Sequence, residues 1–162
     1  MHCLAIIPRI VVLSTALTVL NTAQADPKQQ QSLERGRYLL VVGGCNDCHS
    51  PGYAESGGKL DTGKWLMGNN VGFNGPWGTT YPGNLRTLVA SISEQEWLQR
   101  ARTPMRPPMP SPSLMIMSDD DLRAMYRFIQ GLGPAGVPAP DYVPPGQPVS
   151  TAVINFVPVN LR

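Results

Sequence analysis

Histidine and cysteine are nearly absent from this sequence, with two and three among 162 residues. A structural zinc site needs four such ligands, so the chain has too few to build one at any single place without using nearly all of them. Excess charge of one sign is also missing. Thirteen basic residues face eleven acidic ones for a formal +2, whereas nucleic-acid recognition calls for clustered basic charge. Long apolar runs are lacking too. The longest, Ile10 to Leu20, is broken by Ser14, Thr15 and Thr18 and falls short of the roughly eighteen residues that suggest a membrane span. Glycine and proline, in contrast, are plentiful at 16 and 17. A chain of this length and composition reads as one domain with long loops between few regular elements.

The N-terminal segment has the layout of an export leader. One basic residue, Arg9, precedes the apolar run, and Ala23-Gln24-Ala25 supplies the small-x-small pattern of a signal-peptidase site. Cleavage is expected after Ala25, giving a leader over 1–25 and a mature chain from Asp26 in the periplasm. Cys3 precedes the apolar run instead of ending it, which argues against lipid attachment. No second apolar stretch is long enough for stable membrane insertion. Removal of the leader leaves 12 basic and 11 acidic residues, a formal +1.

What remains of cysteine and histidine then falls in one pentapeptide, Cys45-Asn46-Asp47-Cys48-His49. Cys-x-x-Cys-His is the attachment motif of haem c: the thiols form thioethers to the two vinyl groups and the histidine ligates iron from one face. A thioredoxin-like redox site also uses Cys-x-x-Cys, but at a strand-to-helix turn in a βαβ pattern that is not evident here. A disulfide between Cys45 and Cys48 would close a very small loop, stabilise little and leave His49 unexplained.

One histidine fills one axial position of iron. Six methionines follow the leader: Met67, Met105, Met109, Met115, Met117 and Met125. Met125 belongs to an amphipathic helix with Leu122, Tyr126 and Ile129 at helical spacing. Met117 precedes the helix start Ser118-Asp119-Asp120-Asp121 and is placed to pack on Leu122 as a hydrophobic staple. Met105 and Met109 lie in the proline-rich stretch 103–112, where restricted φ favours extended backbone and a stiff arm. Met109, between two prolines and without another packing role, is the first candidate for the second iron ligand. Met105, Met115, Met67 and an open or water-bound iron are the alternatives.

Other local signals are structural. Residues 29–42 carry Leu33, Leu40 and Val41 around Gly36 in a helical stripe, and Gly43-Gly44 ends that helix. Ser93-Glu94-Gln95-Glu96 is a second helix start of the capping-box type. Arg100, Arg102 and Arg106 are either a basic rim that steers an acidic partner or solvated helix-end residues. Acid-base machinery is absent, since Asp119 to Asp121 read as a helix N-terminus. No catalytic residue is expected.

Gly36-x-Tyr38-Leu39 nine residues before Cys45, the pentapeptide, Met109-Pro110 and the run from Ser118 to Ile129 together resemble class I c-type cytochromes, especially the bacterial periplasmic kind serving dehydrogenases. The segment from Gly75 to Leu85 is similar to the loop that such domains lay along the haem edge. The likeness covers roughly Leu33 to Leu132. It implies a mainly α, cytochrome c-like small helical domain around one covalently bound haem, with Cys45, Cys48, His49 and Met109 holding the cofactor. It also implies N- and C-terminal helices that cross at Gly36 with Phe128 or Tyr126 opposite. The domain is expected over 26–133. Tyr53 to Asn74 matches no recognised pattern. A proline-rich extension, 134–162, cannot be a long helix; Val149 to Val157 alternates enough for a short strand. That extension reads as a flexible terminus, a wrap over the domain or a docking segment.

Iron held by histidine and methionine stays six-coordinate in both redox states. The expectation is therefore a periplasmic carrier of single electrons, taking them from a dehydrogenase and passing them to a cytochrome or oxidase, as a free shuttle or a complex subunit. A haem enzyme or gas sensor with an open sixth site is the alternative.

Overall fold

The computed structural model describes residues 26–157. The expected leader, 1–25, and residues 158–162 lie outside that range. Helix α1 (Pro27–Val42) starts where the Asp26 carboxylate accepts from the Lys28 N–H, with Pro27 in the first turn, where its missing N–H costs nothing. It ends at Gly43, whose N–H donates to the Leu39 carbonyl. Gly44, at φ +66°, turns the chain through the left-handed region that glycine enters without penalty. This leads directly into the five-residue helix α2 (Cys45–His49).

The next elements are short. A single 3₁₀ turn, Thr62–Lys64, precedes a hairpin of β1 (Gly72–Gly75) and β2 (Gly78–Thr80). Phe73 pairs with Thr80 and Asn74 with Thr79 in antiparallel register. Helix α3 (Leu85–Ser91) is capped by the Asn84 side chain, which accepts from the Arg86 and Thr87 N–H groups. Helix α4 (Glu94–Ala101) carries the full capping box foreseen from Ser93 and Glu96. Helix α5 (Ser111–Met115) follows the proline-rich loop, and α6 (Asp119–Leu132) begins at Ser118, whose hydroxyl accepts from the Asp121 N–H. Strand β3 (Val153–Asn155) lies parallel to β1, giving the sheet order β2-β1-β3.

Helices α1 and α6 form the central crossing. A Cβ on Gly36 would stand 2.1 Å from the Ala124 carbonyl oxygen and 3.0 Å from the Phe128 Cβ. Phe128 is thus one of the groups opposite Gly36, beside the backbone of Ala124. Tyr126 is not: it packs on Trp97 and donates to the Ile92 carbonyl. Leu40, Leu122, Met125 and Ile129 are buried in the core beneath the crossing, and α3 and α4 close it from the side. The Trp97 indole N–H is satisfied by the Leu122 carbonyl at 2.9 Å. On the surface, Arg35 meets Asp121 at 2.8 Å and holds its carboxyl below the usual carboxylate range.

The segment from Tyr53 to Asn74, without a recognised pattern in sequence, is a folded wall. Trp65 is buried against the rings of Tyr53 and Phe128, with the Arg37 guanidinium 5.3 Å from its centroid. Leu66 adopts φ +62° although it is not glycine, a conformation that is uncommon for such a side chain. Its surroundings hold it there: its N–H donates to the Ser50 hydroxyl at 2.7 Å and its carbonyl accepts from the Leu85 N–H at 3.0 Å.

Arg86 is buried at 7% exposure, yet its partners are carbonyls. Its guanidinium donates to Gly133 at 2.5 Å, to Gly63 at 2.7 Å and to Leu132. It thereby joins the 3₁₀ turn to the C-terminal end of α6, where a cation also complements the helix dipole. Arg86→Met should retain much of the volume while stranding these acceptors. At about 1–3 kcal/mol for each buried group left without a partner, and allowing water to reach some of them, a loss of about 3 kcal/mol is expected in chemical denaturation.

After α6 the chain runs back over the body. Asn84 donates to the carbonyls of Ala135 and Val137, Thr79 and Val143 exchange two backbone hydrogen bonds, and Tyr142 donates to the Trp77 carbonyl at 2.8 Å. Phe156 then packs on Phe73 and Trp77 at centroid distances of 5.8 and 6.0 Å. The strand expected within Val149–Val157 is β3.

Candidate functional site

Cys45, Cys48 and His49 lie together on the wall of a cavity of about 1100 Å³ enclosed by α2, α3, α4, the proline-rich loop and the returning tail. Ligand pockets span roughly 300–1000 Å³, so this one has room for a macrocycle. Its exposed lining is predominantly apolar. The far side of α2 is pinned by a buried relay: Ser50 donates to the Asn46 carboxamide oxygen at 2.7 Å and accepts from the Leu66 N–H. Neither Ser50 nor Asn46 is marked by the attachment motif, in which the intervening residues are free to vary.

His49 is buried and its Nδ1 stands 2.7 Å from the Gly83 carbonyl. A carbonyl only accepts, so Nδ1 carries the proton and donates, leaving Nε2 with its lone pair free for a metal. Burial pushes the imidazole pKa down and favours that neutral form. The Gly83 carbonyl escaped sequence analysis because every residue has one. The Gly75–Leu85 likeness did, however, bring the right loop to the site: Tyr81, Pro82, Gly83, Asn84 and Leu85 all line the cavity.

The two thiols are unpaired in spite of their proximity. Burial pushes Cys45 up to about 11 and Cys48 in the same direction. Redox-active Cys-x-x-Cys sites do the opposite and stabilise a thiolate. The surrounding elements also differ from a thioredoxin-like site, because α2 follows a helix and not a strand.

Four methionines border the cavity: Met105, Met109, Met117 and Met125. Met115 is exposed outside it, and Met67 packs beside Gly136 of the tail. Met125, expected in the core, is buried there and also reaches the cavity wall; Met117 stands near Gly43 at the attachment end. The proline-rich loop is less extended than its composition suggests. It folds into a turn, with the Met109 N–H on the Arg106 carbonyl and the Ser111 N–H on the Met109 carbonyl, and passes into α5 with Pro112 in its first turn. Prolines fix φ at a value that turns and helix starts share with extended chain, which explains the difference. Among the arginines, Arg102 is occupied by the Leu114, Met115 and Met117 carbonyls and Asp119. Arg100 and Arg106 lie at the cavity.

The residues present fit a covalently attached haem: two neighbouring free thiols, an imidazole with one oriented nitrogen, thioethers and a large apolar cleft all converge. Comparison with known proteins agrees. A family model described as Cytochrome c matches residues 33–133. The chain is 30% identical over 137 residues to a gluconate 2-dehydrogenase cytochrome c subunit of Pantoea cypripedii, covering 76% of this chain and 29% of that protein. It is 29% identical over 119 residues to a nicotinate dehydrogenase subunit of Pseudomonas putida, covering 67% of this chain and 9% of that one. The chain thus spans less than a third of either relative's length. No solved structure matches it significantly.

Proposed function

Because this chain belongs to the cytochrome c family and binds haem c through Cys45 and Cys48, a setting for electron transfer, we propose that it carries single electrons in the periplasm between a dehydrogenase and a cytochrome or oxidase. His49 and Met109 are the iron ligands in this reading. The observation that carries it is the His49 Nδ1–Gly83 hydrogen bond, which orients the ring as metal-bound imidazoles are oriented in other proteins.

When bound, the haem supplies a one-electron iron couple whose potential methionine ligation raises. The chain's own residues fix the surroundings. Gly83 keeps His49 in one tautomer, the Ser50–Asn46 relay holds α2 against Leu66, and the loop around Met109 is closed by its own backbone hydrogen bonds. A site held from several elements changes little in geometry when its charge changes, which suits rapid electron exchange. Among the described residues no three His, Cys, Asp or Glu side chains converge to hold a free metal ion, and no helix is long and apolar enough to cross a membrane. Both named relatives are dehydrogenase subunits, which supports a dehydrogenase as the donor.

The test is spectroscopic. Oxidised protein should show the weak red-edge band of sulfur-ligated haem iron, and reduced protein should not bind carbon monoxide. Ready carbon monoxide binding would instead establish an open sixth site and an enzyme or gas sensor.

A further inference from the structure

The tail beyond residue 133, outside the stretch matched by the family, contributes Pro138, Ala139, Pro140 and Tyr142 to the cavity wall. Tyr142 is anchored at both ends of its side chain. Its hydroxyl donates to the Trp77 carbonyl at 2.8 Å, and its ring faces the Arg106 guanidinium at 4.0 Å from the centroid. The neighbouring Val143 is fixed by two hydrogen bonds to Thr79. Arg106 opens the turn that ends at Met109, since the Met109 N–H donates to its carbonyl. One residue later, the Pro107 carbonyl accepts from the Thr80 hydroxyl at 2.7 Å. The hairpin, the tail and the methionine loop therefore meet at three adjacent points.

The geometry points to Tyr142 as a positioning residue for the Met109 loop: the tail acts as a strap that grips Arg106 and keeps the sulfur-bearing turn closed at the cavity that would hold the haem. A cation–π contact of this kind is a short-range clamp, worth roughly two- to fivefold in an equilibrium constant where exposed and more where dry. Its loss shifts the balance between closed and open loop by that factor. A ligand that competes with methionine for iron reads the balance directly, because it binds only the open form.

This inference rests on Met109 being an iron ligand. In oxidised holoprotein, Tyr142→Ala should tighten imidazole binding about fivefold, and Tyr142→Phe, which retains the ring, should change it less than about twofold. Arg106→Gln should reproduce the alanine effect, and combining it with Tyr142→Ala should add little further. Equal imidazole affinity in Tyr142→Ala and the parent, with or without a lower melting temperature, would overturn the strap. The parent and Met109→Ala spectra separate the two readings. No red-edge sulfur band in the parent, or a band that survives Met109→Ala, refutes Met109 ligation, whereas a band lost in Met109→Ala together with unchanged imidazole affinity in Tyr142→Ala refutes only Tyr142. If Tyr142→Ala yields no holoprotein, Arg106→Gln decides, and parent-like imidazole binding in that variant would refute the clamp.

Discussion

Met109→Ala is expected to lower the midpoint potential of the bound haem and to let carbon monoxide bind the reduced iron, while Met105→Ala does neither. Axial ligands set haem potentials over a range of roughly 0.8 V, so loss of a thioether should remove a sizeable part of that range and be easily read by voltammetry. Both residues border the cavity, and what separates them is how their neighbours hold them. Met109 has both backbone groups occupied, its N–H by Arg106 and its carbonyl by the Ser111 N–H. The turn therefore keeps its shape without help from the side chain, which leaves the thioether available for iron. Both side chains pack at the edge of the core, but the Met105 N–H is held by the Ser111 hydroxyl and not by a backbone turn, so the place of Met105 depends on side-chain packing. Its replacement should cost packing, not a ligand. Met125 and Met117 serve as further controls, because one is buried in α6 and the other lies near the attachment end at Gly43. If Met105→Ala opens the iron and Met109→Ala does not, the ligand is Met105.

The parts of this site legible in sequence are those encoded by residue type at short spacing. Cys45, Cys48 and His49 require nothing distant to be recognised, and Ser93, Glu96 and Ser118 announce helix starts because a cap depends on neighbours three residues away. Gly36 is legible for a similar reason, as a small residue within a helical stripe. What escapes depends on contacts across the chain. The hairpin of β1 and β2 holds three glycines in seven residues, Gly72, Gly75 and Gly78, and shows no clean alternation. Leu66 is left-handed because Ser50 and Leu85 hold its backbone, which no neighbouring residue reveals. Arg86 looks like any helical arginine until the α6 terminus closes over it. The tail presents a similar difficulty: prolines exclude a helix but give no sign that Tyr142 meets Arg106. Local chemistry thus identifies the attachment site, whereas the walls around it arise from pairings at least 16 residues apart.

Gly36→Ala should destabilise the protein strongly even though the same change helps an ordinary helix. Two effects of opposite sign compete. Replacing glycine by alanine in a helix interior gains about 1 kcal/mol from backbone propensity. Against this, the new Cβ would stand 2.1 Å from the Ala124 carbonyl oxygen and 2.6 Å from its carbon. Both are backbone atoms that cannot rotate away, so α1 and α6 must separate. Overpacking costs typically about 1–3 kcal/mol and sometimes more, and a clash with backbone at the main helix crossing belongs at the upper end. The clash therefore wins, with a net loss of about 2 kcal/mol and a melting temperature lower by roughly 5–10 °C for a domain of this size. Gly131→Ala is the control, placed in α6. A Cβ there meets nothing within 4 Å, so only the propensity gain remains and a rise of about 0.5–1 kcal/mol is expected. Thermal melts of both holoproteins check the sign. Stabilisation by Gly36→Ala would mean that α1 and α6 do not cross in contact at this residue.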